Sequence, residues 1–244
     1  MMNTRLSALF LSLLMLFSLV GCGGKEESET PPPAEDPVVE APVGQEESEI
    51  QYDPEGRPIM EALYIDNVIR TQIDDGKISY YIPAGSWVKG TDSNGETVVL
   101  FRDTAQKAQQ VSAQAKLVGF YGSELDESFM DEIVDSLDND LSLTVTTSEM
   151  RSFQNAPIYY SEMSVEFTDE VLDRLVESGI WTEEKIEENG GREAYKKIPK
   201  TNTIMIYAVI DGYMVTYGGS YYDDAQKKIV LNAINVMLQT TEVL

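Results

Sequence analysis

The sequence predicts an α+β domain, an antiparallel sheet flanked by helices, following a disordered N-terminal tether. Three observations predict it. Runs with apolar residues at every second position recur in pairs joined by short polar turns, and apolar stripes at helical spacing fall between and after those pairs. Asp211-Gly212 then separates two strand-like runs as a two-residue type I′ turn does. Hairpins interspersed with helices put a sheet and its helices in separate layers, whereas a doubly wound parallel sheet requires regular alternation of strand and helix.

The elements follow in order. Lys77 to Ile82 is a strand stopped by Pro83 and Gly85, and Glu96 to Phe101 pairs with it or a neighbour across the turn Asp92-Ser93-Asn94-Gly95. Val111, Ala113, Ala115 and Leu117 alternate with polar residues in a half-buried strand that ends near Tyr121. Ser123 is placed to cap a helix whose Phe129, Met130, Ile133, Val134 and Leu137 share one face. Leu141 to Thr147 and Pro157 to Phe167 read as strands joined through Ser148 to Ala156. Thr168 caps a second helix, with Val171, Leu172, Leu175 and Val176 as its apolar stripe and Gly179 past its end. Thr182 to Lys200 is a charged excursion of two short helices broken at Gly190-Gly191. Thr203 to Ile210 and Tyr213 to Tyr217 form the Asp211-Gly212 hairpin, which Gly218 and Gly219 end. Asp223 or Asp224 caps the last helix, and Ile229, Val230, Ala233, Ile234, Val236 and Met237 make its buried side.

The N-terminal region sets the expected address. Arg5 precedes an uncharged apolar stretch from Leu6 to Val20, and Leu19-Val20-Gly21-Cys22 ends it with a small residue before the chain's single cysteine. The segment resembles the signals of bacterial lipoproteins. That resemblance implies a signal peptide over 1–21, cleavage between Gly21 and Cys22, and a diacylglycerol on the Cys22 sulfur. The run is about 15 residues long, short of the ~20 that a membrane-spanning helix needs. Residues 22–58 are rich in Glu, Pro and Ser; Pro31, Pro32, Pro33, Pro37 and Pro42 extend the chain while Glu26, Glu27, Glu29, Glu46, Glu47 and Glu49 repel one another. Such a coil spans roughly 30 to 35 Å on average. Residues 59–244 then form a single globular domain.

Composition excludes several function classes. The chain has no histidine, which removes Ser-His-Asp, Cys-His and His-rich zinc chemistry. One cysteine permits no internal disulfide, and lipidation occupies it. A net charge of −24 opposes binding to nucleic acid and to anionic lipid, so the bilayer partner is reached through the Cys22 anchor.

Ile78-Ser79-Tyr80-Tyr81-Ile82-Pro83-Ala84-Gly85-Ser86-Trp87, with the late hairpin leading into a terminal helix over Thr203 to Gln239, resembles the PsbP-like proteins. The resemblance covers Lys77 to Leu244. It implies an antiparallel sheet flanked by helices and a binding or assembly role without catalysis. The acidic charge, the Thr182 to Lys200 excursion and the lipid anchor depart from that family, and no photosynthetic role is expected.

Few residues offer chemistry. Asp135, Asp138, Asn139 and Asp140 crowd oxygen ligands, yet they lack the glycine and the closing glutamate of a calcium loop. Asp92, Asn94 and Glu96 read as turn residues. Gly218-Gly219-Ser220 is either an anion cradle or a chain reversal, with Asp223 and Asp224 opposing an anion. Tyr80 and Tyr81, like Tyr159 and Tyr160, point to opposite faces of a strand, so half of the abundant tyrosines are candidates for an outward aromatic platform. Tyr80, Tyr159 and Tyr217, with Lys196 and Lys197 of the basic cluster Arg192-Lys196-Lys197-Lys200, are the candidate binding surface. No catalytic residue, metal ligand or cofactor is expected. The expected function is a non-catalytic, extracytoplasmic lipoprotein that binds or assembles with an envelope protein or glycan. The alternatives are an envelope hydrolase using paired carboxylates, or a small-ligand or calcium-binding lipoprotein.

Overall fold

The computed structural model describes residues 51–60, 70–84, 86–91, 95–102, 110–122, 125–138 and 142–244. The signal peptide, Cys22 and the chain to residue 50 lie outside the described residues, as do the turn at 92–94, Ser123, and Asn139 and Asp140. The side chains of Asp135, Leu137 and Asp138 lie outside them too. The elements run β1 (Arg70–Asp74), β2 (Ile78–Pro83), β3 (Trp87–Thr91), β4 (Thr97–Phe101), β5 (Ser112–Phe120), α1 (Glu127–Asp138), β6 (Leu143–Phe153) and β7 (Ala156–Val165). They continue with α2 (Asp169–Glu177), α3 (Glu183–Glu188), α4 (Arg192–Tyr195), β8 (Thr201–Ile210), β9 (Tyr213–Tyr221), α5 (Asp224–Thr240) and β10 (Glu242–Val243).

The named strands form a seven-stranded sheet in the order β3-β4-β5-β9-β8-β7-β6 and a three-stranded sheet β1-β2-β10. All their pairings are antiparallel. This is the expected α+β architecture. Helix α5 packs on β9, β5 and β2, so it lies between the two sheets, and α1 packs on β6. The main core gathers Ile78, Tyr80, Ile82, Ile204, Ile206, Val215 and Tyr217 around Val230, Ala233, Ile234 and Met237 of α5. A second core holds Phe129 and Ile133 of α1 with Tyr159, Met163, Met205, Tyr207 and Met214. The large sheet is thus covered on both faces.

Local chemistry explains most boundaries. Asp211 and Gly212 both have positive φ, +50° and +79°, as the I′ turn between β8 and β9 requires. Thr168 Oγ1 accepts a hydrogen bond from the Val171 amide at 3.2 Å, and Asp223 Oδ1 accepts from Gln226 N at 2.8 Å, so both helix N-termini are capped as expected. Asp126, not Ser123, caps α1, its Oδ1 accepting from Phe129 N at 3.1 Å.

Three stretches depart from the sequence reading. Residues 148–153 extend β6 rather than forming a loop, and the β6–β7 turn is the pair Gln154-Asn155 at φ +50° and +67°. A turn written Gln-Asn lacks the glycine that marks a tight hairpin in sequence. Strand β9 continues through Gly218 and Gly219 to Tyr221, and Gly219 admits α5 rather than ending the strand. A Cβ on Gly219 would collide with Val230 Cγ1 and stand 3.0 Å from the Ser112 carbonyl oxygen. Finally, part of the expected tether is packed. Tyr52 bridges Pro58, and Ile59 bridges Ser152 on the outer edge of β6. Asp53, whose side chain is only 4% exposed, holds this loop with Arg57 Nε at 2.6 Å and the amides of Glu55 and Arg57 at 3.0 and 2.8 Å. Burial pushes the Asp53 carboxyl up, but these Arg57 contacts outweigh it and hold the group below its ordinary value.

Candidate functional site

The segment between β7 and β8 contributes nothing to either sheet, and its side chains form a small structure of their own. Gly179, at φ +74°, ends α2, and the chain folds back so that Trp181 N donates to Leu175 O at 3.1 Å. Phe167, Trp181 and Tyr195 meet there, with ring centroids 5.7 Å apart for Phe167–Trp181, 5.5 Å for Phe167–Tyr195 and 5.0 Å for Trp181–Tyr195. All three are half-buried, Ile180 beside them is 52% exposed, and Ile186 beneath is fully buried.

Two cations fasten this unit. Arg192 donates to Asp173 Oδ1 at 2.6 Å and also to Glu183, tying α4 to α2 and α3. Lys196 spans Asp169 Oδ2 at 3.1 Å and Glu193 Oε1 at 2.5 Å. Glu183 and Asp173 raise the Arg192 guanidinium, and Glu193 and Asp169 raise the Lys196 ammonium, so both stay charged. Lys196 is therefore committed within the excursion. Lys197 and Lys200 are exposed and make no ion pair among the described residues. The product is a cluster of half-buried rings with acidic and basic groups around it, which suits recognition by contact.

The three tyrosines of the expected binding surface lie elsewhere. Tyr80, Tyr159 and Tyr217 are all fully buried. Alternation did send Tyr159 and Tyr160 to opposite faces, but both faces of the large sheet are covered, so each ring enters a core. Tyr159 sits under α1, edge-on to Tyr207 at 5.7 Å, with its hydroxyl 2.7 Å from Ser148 Oγ. Burial raises the phenols of Tyr80, Tyr207 and Tyr217. The outward platform expected from these residues does not exist.

Gly218 and Gly219 are strand residues in register with Gln114 and Ala113 on one side and Met205 and Ile204 on the other, so they form neither a reversal nor an anion cradle. Among the described residues no group of three or more acidic or cysteine side chains is arranged to hold a metal. No helix among them is long and apolar enough to cross a membrane.

Sequence reasoning missed Glu162 on β7. Its Oε1 accepts from the Tyr160 hydroxyl at 2.5 Å, and its Oε2 accepts from Lys227 Nζ at 2.7 Å and the Tyr221 hydroxyl at 3.4 Å. Arg151 lies 3.5 Å above the centre of the Tyr160 ring. Burial pushes the Glu162 carboxyl up, yet the Lys227 and Tyr160 hydrogen bonds prevail and hold it below its ordinary value. A carboxylate kept ionised by these donors is not poised to give up a proton as a general acid does. It instead fastens the first turns of α5 to β7. A lone glutamate inside an apolar strand was the available signal.

No protein-family description matches the chain, and no curated relative matches it. Solved structures do. Cyanobacterial PsbP (CyanoP) from Synechocystis sp. PCC 6803 is 13% identical with a TM-score of 0.38, covering 76% of this chain and 97% of that one. LpqN, involved in cell envelope biogenesis of Mycobacterium tuberculosis, is 11% identical with a TM-score of 0.40 over 73% and 92%. The Saccharomyces cerevisiae Ran-binding protein Mog1p is 9% identical with a TM-score of 0.40 over 72% and 96%. At these scores none of the three transfers a function to this chain.

Proposed function

We propose that this chain is a membrane-anchored extracytoplasmic lipoprotein whose α+β domain is a non-catalytic module binding an envelope protein or glycan. The excursion over α2–α4, tied together by ion pairs and ring contacts, carries the reading. It adds no strand to the sheets, yet it presents Ile180 at 52% exposure beside three interlocked rings held by Arg192 and Lys196. Exposed aromatic and aliphatic groups on a fixed frame bind with little ordering cost. The Leu19-Val20-Gly21-Cys22 signal and the acidic segment after it supply the address and the reach.

The site itself has a place in the topology. Strand β7 ends at Val165 and β8 begins at Thr201, so the excursion occupies the sheet end opposite the β8–β9 turn at Asp211-Gly212. The first described residues, Gln51 to Pro58, lie beside Ser152, near that other end. The excursion therefore lies at the sheet end opposite residues 51–58.

Metabolic labelling with an alkyne fatty acid tests the address: wild-type protein should carry the label and Cys22→Ala should not. Chemical cross-linking in the native cells, read by mass spectrometry, tests the binding role. An adduct from wild type that is lost on Ile180→Ser supports it, and equal adducts from both forms refute the assignment to this face.

A further inference from the structure

The end of the large sheet opposite the excursion carries an exposed aromatic ring, Phe120, packed on a half-buried one, Tyr213. Phe120, the last residue of β5, is 68% exposed and stands in register with Tyr213, the first residue of β9. The rings meet edge to face at 5.5 Å. Their position is fixed. The amides of Tyr121 and Gly122 both donate to Gly212 O, at 2.8 and 2.9 Å, and the Phe120 ring lies against Gly212 so closely that a Cβ there would come within 3.2 Å of it.

The first described residues lie at the same end. Phe153 pairs with Ala156 around the β6–β7 turn, Ile59 bridges Ser152 just before it, and Gln51 O accepts from Ile59 N at 2.8 Å. Tyr52, the next residue, is 61% exposed. Phe120 on β5 and Tyr52 outside β6 sit at the two corners of this end, separated by strands spaced ~4.8 Å apart, or about 30 Å in all. Aromatic side chains at two corners of one end, with the tether leaving between the domain and its anchor, are arranged to meet a broad surface rather than a small ligand.

We infer that this end of the sheet, through Phe120, Tyr213 and Tyr52, rests in the headgroup region of the bilayer that holds the lipid anchor. The inference rests on the anchored reading proposed above. Phenylalanine and tyrosine place apolar rings at the acyl boundary, tyrosine with its hydroxyl in the headgroups. A tether from Cys22 to Ile50 reaches on the order of 100 Å when extended, so it does not force contact; it holds the domain near the surface, where a weak ring-mediated affinity suffices. The net charge of −24 selects a zwitterionic surface over an anionic one. With this end on the membrane, the excursion points outward.

The test uses the full lipidated chain in phosphatidylcholine vesicles. Cys22 is the chain's single cysteine and is blocked by its lipid, so Ala156→Cys, at the aromatic end, or Lys185→Cys, on α3, provides one nitroxide site. Collision with oxygen, which partitions into lipid, is compared with collision with a water-soluble nickel chelate. The oxygen-to-nickel ratio should be several-fold higher at 156 than at 185. It should fall to the α3 value in a Phe120→Ser/Tyr213→Ser background, and decline as phosphatidylglycerol replaces phosphatidylcholine. Equal ratios at 156 and 185, with the protein on the vesicles, overturn the inference. So does a ratio that survives the double substitution, or a label at 156 shielded from both reagents, which marks a protein or second copy covering the tip. Failure of the chain to remain on vesicles at all refutes the anchored reading beneath it.

Discussion

Replacing Gly219 by alanine places a methyl group between β9 and α5, where there is no room for it. The new Cβ would strike Val230 Cγ1 and lie 3.0 Å from the backbone oxygen of Ser112. Neither neighbour yields readily, since valine is stiff at χ1 and the Ser112 carbonyl belongs to strand β5 in register with Ser220. Forcing a methylene-sized group into a packed core costs about 1–3 kcal/mol. Reduced entropy of the unfolded chain returns about 0.4–1 kcal/mol. The net loss is roughly 1–2 kcal/mol, or about 2–8 °C in Tm for a domain of this size. Gly218→Ala is the control. Its nearest neighbour is the flexible Met205 Cε at 3.4 Å, an ordinary contact, so its stability should stay within about 0.5 kcal/mol of wild type. Urea and thermal unfolding followed by circular dichroism read both variants. A Gly219→Ala protein as stable as wild type, or a Gly218→Ala protein equally damaged, would refute the claim that Gly219 exists to let α5 approach the sheet.

Glu162→Gln removes the ionised partner of Lys227 and should cost about 1–3 kcal/mol at neutral pH, as loss of charged hydrogen bonds does. Because the folded carboxyl is held below its ordinary value of 4.5, its contribution is complete above that pH and fades as acid titrates the folded state. The gap between wild type and Glu162→Gln in urea midpoints should therefore narrow below pH 4.5, and a gap constant with pH would contradict the assignment. Arg192→Ala should loosen α3 and α4 without unfolding the sheets: Trp181 emission shifts to the red and proteases cut within 179–200 faster, while the global unfolding midpoint is retained. Unchanged emission and cleavage would show that the excursion is held by its rings alone.

The readable parts of the fold were those whose local chemistry is written in the chain. Asp211-Gly212 announced the β8–β9 hairpin, Thr168 and Asp223 announced two helix starts, and Gly190-Gly191 separated α3 from α4. The short strands β1 and β3 were not foreseen, since a lone Ile73 in β1 and the adjacent Trp87 and Val88 in β3 give no strand pattern, whereas β4 of the same length is the apolar run Val98 to Phe101. The candidate site was misread for a different reason. Period two says that Tyr159 and Tyr160 face opposite ways, but it does not say that α1 covers one face while α5 and a second sheet cover the other. Tertiary coverage turned Tyr80, Tyr159 and Tyr217 from candidate surface into core. The basic cluster was visible, but which of its members are spent internally depended on Asp169 and Glu193 folding back on Lys196. Likewise, residues 51–58 have the composition of a tether, and one buried aspartate with its arginine makes them part of the fold.

The proposed binding role puts the envelope partner on the excursion, beside Ile180, at the sheet end away from residues 51–58. A photo-crosslinking amino acid placed at position 180 in living cells, with position 156 as its counterpart and Cys22→Ala as control, addresses it most directly. Position 180 in the anchored chain should give one discrete adduct of protein or glycan, lost when Cys22 is replaced, and position 156 should give none. An adduct equally strong from the unanchored chain, or adducts from 156 and none from 180 at equal expression, would contradict it.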